Sequence, residues 1–274
     1  MYRCMMDYKL LCTDIDGTLL NKDRELSEKT IFQFKRIKDR CSIVLASSRM
    51  PEAMRHLQRE VDILNNPMIA YNGGLVLDGE SIISTTEISL EVLERIVELS
   101  KGTEVHISIY NNDDWYVPSM DYWATREMNN TKVTPTVSAL PDTLNILKKE
   151  NKGAHKVMCM GPAEEIAQMY DNLIASYGND LHVYRSKDTY LEIANKSISK
   201  KSAIQSLLKH KYPSLDWKQI IAYGDNYNDM EMLEAVGMGV AVSNAKEEVL
   251  SLADDITASN KEDGVALSVA KYFL

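Results

Sequence analysis

The stretch LLCTDIDGTLL, residues 10–20, places two carboxylates, Asp14 and Asp16, two positions apart where an apolar run ends. The first can attack an electrophile or bind a metal, and the second can donate and accept a proton. A carboxylate is a weak nucleophile toward a phosphate ester because both are anionic. A cation must stand between them, and Mg2+ suits an all-oxygen site. Asp225 is placed to add a third carboxylate. The Ser47 hydroxyl and the backbone N–H groups of the Ser47–Ser48 turn can bind phosphoryl oxygens. Lys200, in SISKKSAI, adds positive charge. Positioning, charge neutralisation and an in-line nucleophile are what phosphoryl transfer requires. Alone, DIDGT is equally well a strand and a tight turn, with Gly17 at positive φ and Asp16 in an Asx-turn.

The elements around these residues explain how they could meet. The runs YKLLCT, SIVLA, MIAY, QIIAY and GVAV are apolar and too short for helices, so they read as buried strands. Amphipathic segments lie between them. In SEKTIFQFKRIKDR, Ser27 can cap a helix whose Ile31, Phe34 and Ile37 share a face, and Pro51 opens a second helix with Met54, Leu57 and Val61. Such alternation predicts a parallel sheet with right-handed crossovers. Each strand is followed by polar or acidic residues: Asp14 and Asp16; Ser47, Ser48 and Arg49; Asn72; Asp225, Asn228 and Asp229; Ser243 and Asn244. In an open parallel sheet these carboxyl ends share one crevice.

The middle of the chain has a different texture. VHISIYNNDDWYVP reads as a hairpin, SLEVLERIVELS and GPAEEIAQMYDNLIASYG as helices, and HKVMCMG, LHVYRS and TYLEIA as strands. The fold class is therefore α/β, a Rossmann-like parallel-sheet core with an inserted α+β domain. The expected boundaries are 1–83 and 189–274 for the core and 84–188 for the insertion. Trp115, Tyr116, Tyr122 and Trp123 are expected mainly in the core of the insertion.

The 274 residues carry a net charge of -9, which disfavours nucleic acid and anionic lipid as partners but not a small anion in a pocket with its own cations. No apolar run is long enough to span a bilayer and the N-terminus lacks a signal-peptide core, so a cytoplasmic protein is expected. Cys4, Cys12, Cys41 and Cys159 show no metal-binding spacing and are expected as reduced, buried thiols.

DIDGTL, VLASSR, SISKKSA and YGDNYNDMEML, in this order and spacing, resemble the haloacid dehalogenase superfamily, in particular its Cof-type, sugar-phosphatase-like branch with a large inserted cap. NKEDGVA, residues 260–266, resembles that branch's C-terminal signature. The resemblance implies a nucleophile at Asp14 that becomes an aspartyl phosphate, and a general acid and base at Asp16. It implies Mg2+ held by Asp14, Asp225 and the Asp16 backbone carbonyl. Phosphate contacts are implied at the Ile15 N–H, at Ser47 or Ser48, and at Lys200 and Asn228. Asp229 is implied to orient the metal shell or the lysine, and Arg49 and Asn72 sit at strand ends beside the crevice. Two departures stand out: many relatives read Thr-Gly-Arg where this chain has Ser47-Ser48-Arg49, and Gly where it has Lys201.

The resulting expectation is a Mg2+-dependent phosphatase of a small phosphorylated metabolite, by default a sugar phosphate, with flavin mononucleotide or pyridoxal phosphate as other candidates. A phosphomutase would use the same aspartyl phosphate. A phosphate-binding protein without turnover is the alternative from another class. Response-regulator receivers share the acidic residues, Ser/Thr and Lys, but are shorter and lack an insertion.

Overall fold

The computed structural model describes residues 7–274. β1 (Leu10–Thr13) is buried along its whole length, as a strand covered on both faces must be. α1 (Glu28–Ile37) begins where the Ser27 hydroxyl accepts the Thr30 N–H at 3.1 Å, a cap worth about 1 kcal/mol. β2 (Ser42–Ala46), α2 (Glu52–Glu60) and β3 (Pro67–Ala70) continue the predicted alternation. The sheet then departs from the all-parallel expectation. Tyr71, Asn72 and Gly73 take φ of 52°, 56° and 105°, and this run turns the chain back into β4 (Leu75–Asp78), antiparallel to β3. β5 (Ser81–Thr85) follows across an Asp-Gly turn at Gly79, a hairpin signal that the sequence reading passed over.

A second unit follows, made of α3 (Leu90–Leu99), β6 (His106–Asn111), β7 (Asp114–Val117), α4 (Tyr122–Thr131), β8 (Thr136–Val137), α5 (Leu140–Lys149), β9 (Lys156–Met160), α6 (Ala163–Tyr177), β10 (Leu181–Lys187) and β11 (Tyr190–Asn195). Its sheet order is β10-β11-β9-β6-β7-β8. Alternate residues Ile107, Ile109, Val157, Cys159, Leu191 and Ile193 share one cluster with residues of α3, α5 and α6, so the three helices lie on one face. This unit comprises 49–53 and 85–198. Its end therefore lies beyond the expected 188, because β11 pairs with both β9 and β10. Trp115 is buried and stacks on Tyr110 with ring centroids 5.6 Å apart, whereas Tyr122 is exposed and does not belong to a core.

The first unit resumes at 199 with α7 (Lys200–His210), β12 (Ile220–Gly224), α8 (Met230–Ala235), β13 (Met238–Val242), α9 (Glu247–Leu252), β14 (Asp255–Thr257) and α10 (Gly264–Tyr272). Its sheet order is β14-β13-β12-β1-β2-β3-β4-β5, parallel from β14 through β3. Leu10, Cys12, Val44, Ile220 and Ala222 pack with Ile204 and Leu207 of α7, Met232 and Leu233 of α8 and Val249 of α9. The alternate residues Leu11, Ile43, Leu45, Ile221 and Val240 are buried on the opposite face. Cys12, Cys41 and Cys159 are buried free thiols, and Cys4 lies outside the described residues. Among the described residues no helix is long and apolar enough to cross a membrane.

Candidate active site

The carboxyl end of β1 delivers Asp14. Its N–H donates to the Tyr223 carbonyl at 3.0 Å, extending the ladder one residue past the strand, and its side chain is buried. Lys200, the first residue of α7, is 1% exposed and donates to Asp14 Oδ1 at 2.5 Å and to Asp229 Oδ1 at 2.6 Å. A cation at a helix N-terminus is disfavoured by the helix dipole, so the two carboxylates must hold it there. A reciprocal Ser199–Ser202 capping box fixes the start of that helix.

Asp229 organises the loop after β12. Its Oδ2 accepts the N–H groups of Asp225 and Asn226 at 3.0 and 3.1 Å, and its side chain makes no cap to α8. This geometry requires Gly224, where a Cβ would come within 2.5 Å of the Asp229 Cβ. Asp225 Oδ1 accepts the Thr18 hydroxyl at 2.7 Å. Oxygens of Asp14, Asp225 and Asp229 all lie within 4.8 Å of one another.

Asp16 stands apart. The strand has ended at Thr13, so the two carboxylates no longer share a face: Asp14 points into the protein, and Asp16 is exposed, with Oδ1 accepting Arg24 Nη2 at 3.2 Å. Ile15 between them is fully buried, and its carbonyl accepts the N–H groups of Leu19 and Leu20, both at 3.0 Å, closing the turn. Ser47 is buried at the end of β2, and Ser48 is half-buried. The Ser47 carbonyl accepts the Asn72 N–H at 2.8 Å, and Asn72 Oδ1 accepts Asn228 Nδ2 at 3.0 Å. Three strand ends are thereby tied in series. Arg49 groups with the second unit, where its Nη1 donates to the Ala53 carbonyl at 3.3 Å.

The electrostatics follow from burial. Burial pushes the Asp14 carboxyl up, Lys200 opposes this, and Asp229 and Asp225 add repulsion, leaving it at about 8. Burial raises Asp225 as well; the Thr18 hydrogen bond works against the rise and Asp229 adds to it. Burial would lower the Lys200 ammonium, but Asp14 and Asp229 overcome that and hold it above its ordinary value. Three carboxylates face one ammonium, and a hard dication with oxygen ligands fits that surplus of negative charge. Asp229 has already committed both oxygens to protein donors. Asp14 and Asp225 are thus the side chains with an oxygen left for a metal.

A family model for haloacid dehalogenase-like hydrolases matches residues 11–268. The chain belongs to the haloacid dehalogenase-like hydrolases. Within them it is of the Cof type, and its enzyme class is that of the phosphoric monoester hydrolases. A putative phosphatase of Haemophilus influenzae is 30% identical over 272 residues, covering 98% of this chain and 99% of that protein. A 5-amino-6-(5-phospho-D-ribitylamino)uracil phosphatase of Bacillus subtilis is 29% identical, covering 96% and 97%. The crystal structure of a haloacid dehalogenase-like hydrolase from Bacteroides thetaiotaomicron superposes with a TM-score of 0.88 at 27% identity, over 97% of this chain and 100% of that one.

Thr18 and Arg24 escaped the sequence reading. Thr18 could have been found, since it directly follows the Asp16-Gly17 pair. Arg24 could not: it reaches Asp16 only because the loop closes on itself. Asn21 Oδ1 accepts the N–H groups of Asp23 and Glu25, and Arg24 takes φ of 62°.

Proposed function

We propose that this hydrolase is a Mg2+-dependent phosphatase of a small phosphorylated metabolite, a sugar phosphate by preference, with the second unit as its inserted cap and the cytoplasm as its compartment. The observation that carries the reading is the buried Asp14–Lys200–Asp229 triad with Asp225 beside it. The sugar phosphate is supported by the ribityl phosphate in the name of the Bacillus subtilis relative, and the compartment by three free thiols.

In this reading an Asp14 oxygen attacks phosphorus while the bond from phosphorus to the leaving oxygen breaks, giving an aspartyl phosphate. Lys200 holds Asp14 Oδ1, which orients the carboxylate for attack. Asp16, on the exposed side of the turn, gives its proton to the leaving oxygen. It then takes a proton from the water that attacks the aspartyl phosphate, and release of inorganic phosphate regenerates Asp14. Ser47, Ser48, Asn228 and the Ile15 N–H are the proposed phosphoryl contacts, with Asn72 and Arg49 in support. Mg2+ would be held by Asp14, Asp225 and the Asp16 backbone carbonyl, and would supply charge neutralisation between the two anions.

The test is phosphate release from an aryl phosphate with and without Mg2+. Turnover that requires the metal and disappears in Asp14→Asn is expected. Full turnover in Asp14→Asn, or none in the wild type, would refute the reading.

A further inference from the structure

The C-terminal segment NKEDGVA has no part in the chemistry above, yet Asn260 reaches the turn that carries Asp16. Its Nδ2 donates to the Leu20 carbonyl at 2.7 Å across 240 positions of sequence. Its backbone N–H donates to Asn244 Oδ1 at 2.8 Å, and Asn244 Nδ2 donates in turn to the Gly17 carbonyl at 2.8 Å. Two carboxamides, linked to each other only through the Asn260 backbone N–H, therefore hold the carbonyls of residues 17 and 20 in the turn that begins at Asp16. Gly17 is gripped from the other side as well. It has φ of 90°, and a Cβ there would come within 2.5 Å of Asp225 Oδ2, while its neighbour Thr18 donates to Asp225 Oδ1. Gly17, directly after Asp16, thus sits between the Asn244 carboxamide and the Asp225 carboxylate.

The scaffold behind this relay is itself ordered. Asn244 directly follows β13 and Ser243, and Asn260 opens a short 3-10 turn closed by the Ser259–Glu262 capping box. Neither asparagine side chain is spent on its own loop. Each carries a donor to a carbonyl of the Asp16 turn, and a carboxamide fits there because it can accept from one neighbour while donating to another.

We infer that Asn244 and Asn260 are positioning residues that set where Asp16 stands, and so govern proton delivery to the leaving oxygen rather than phosphate binding. The inference rests on the role proposed for Asp16. An alkyl ester needs its leaving oxygen protonated as the bond breaks, whereas an activated aryl ester such as p-nitrophenyl phosphate leaves as a stable anion. Misplacing Asp16 should therefore separate the two substrates, while general damage to the site should not.

The experiment compares kcat/KM for p-nitrophenyl phosphate and for an alkyl phosphate, with Mg2+ present, in the wild type, Asn260→Ala, Asn244→Ala and the double variant. Asn260→Ser, which stays small and polar but cannot span to Leu20, substitutes if Asn260→Ala does not fold. The expected result is a loss of about tenfold or more on the alkyl ester and about twofold or less on the aryl ester. The double variant should be worse on the alkyl ester than either single, because each side chain holds a different carbonyl of the turn. Equal losses on both esters, no loss on either, or a double variant no worse than the poorer single would overturn the inference. Wild-type protein that turns over neither ester would fail the phosphatase reading itself and remove the basis for a role of Asp16. Wild-type turnover without discrimination by the variants would fail this inference alone.

Discussion

Lys200 Nζ lies 2.6 Å from Asp229 Oδ1, and both side chains are wholly removed from solvent. Asp229 holds the lysine with one oxygen and the loop of Asp225 with the other, so it joins the cation to the second metal-ligand candidate without being consumed as a ligand itself. Removing one partner of such a buried pair leaves a charge without compensation. Asp229→Asn should therefore lower stability by about 3–5 kcal/mol, measured by urea unfolding, and depress turnover through both Lys200 and Asp225.

Asp16→Asn should behave differently. The side chain is exposed and its Arg24 contact is an exposed pair, worth about 1 kcal/mol or less. Stability should stay close to wild type while kcat/KM on an alkyl phosphate falls by about 10²–10⁴-fold. Thermal melts run beside steady-state kinetics check this. A large drop in melting temperature would assign Asp16 a structural role instead.

The surplus of carboxylates predicts stabilisation by metal. A ligand that binds only the folded state at about 100 times its Kd adds about 2.7 kcal/mol. Mg2+ should raise the melting temperature of the wild type, and Asp225→Asn should weaken that rise. An equal response in both proteins would remove Asp225 from the ligand set.

Gly17→Ala tests the turn by geometry. The residue has φ of 90°, and the new Cβ would fall 2.5 Å from Asp225 Oδ2. The strain and the displaced Asp225 should reduce both stability and Mg2+-dependent turnover, with stability falling by about 1 kcal/mol or more. Unchanged kinetics would show that the turn does not hold Asp225.

The second unit carries a pH dependence of its own. His155 is completely buried, and its Nδ1 accepts the Asn112 N–H at 3.1 Å, which requires that nitrogen to be unprotonated, while Nε2 meets the Thr85 hydroxyl at 2.8 Å. Burial lowers the imidazole from 6.5 to about 4; Glu87 opposes the shift and Lys152 assists it. The unfolded chain therefore takes up this proton first as pH falls. The stability contributed by His155 is complete above about pH 6.5 and is lost progressively toward pH 4, by about 3 kcal/mol in all. Unfolding curves from pH 7 to 4 should lose part of their slope in His155→Gln. An identical slope would place the acid sensitivity elsewhere.

The strand ends were legible because polar residues recur in phase after short apolar runs, and the start of α1 because Ser27 precedes its amphipathic segment. Asp14 and Asp225 are visible from that pattern, but the destination of Lys200 is not, since nothing local in SISKKSAI distinguishes a buried ammonium from a solvated one. The antiparallel β3–β4 turn was hidden for a related reason: Tyr71 at positive φ runs against its own backbone preference, so tertiary context fixes it. TYLEIA reads as a strand of the insertion, and its pairing with β9 keeps it in the second unit, past the boundary expected at 188. The relay from Asn260 was beyond reach, because a carboxamide that reaches 240 residues back leaves no periodic trace.

The position of β1 has a consequence for the order in which the chain can mature. One edge of β1 is satisfied early by β2, but the other belongs to β12, which begins at Ile220. A ribosome must therefore extend the chain from Leu10 to Ile220 before the central strand has both neighbours, and closing so long a loop is slow. Until then β1 has a bare edge, the kind of template that recruits other chains. The newborn polypeptide is thus most vulnerable to aggregation at the same strand that later carries its nucleophile.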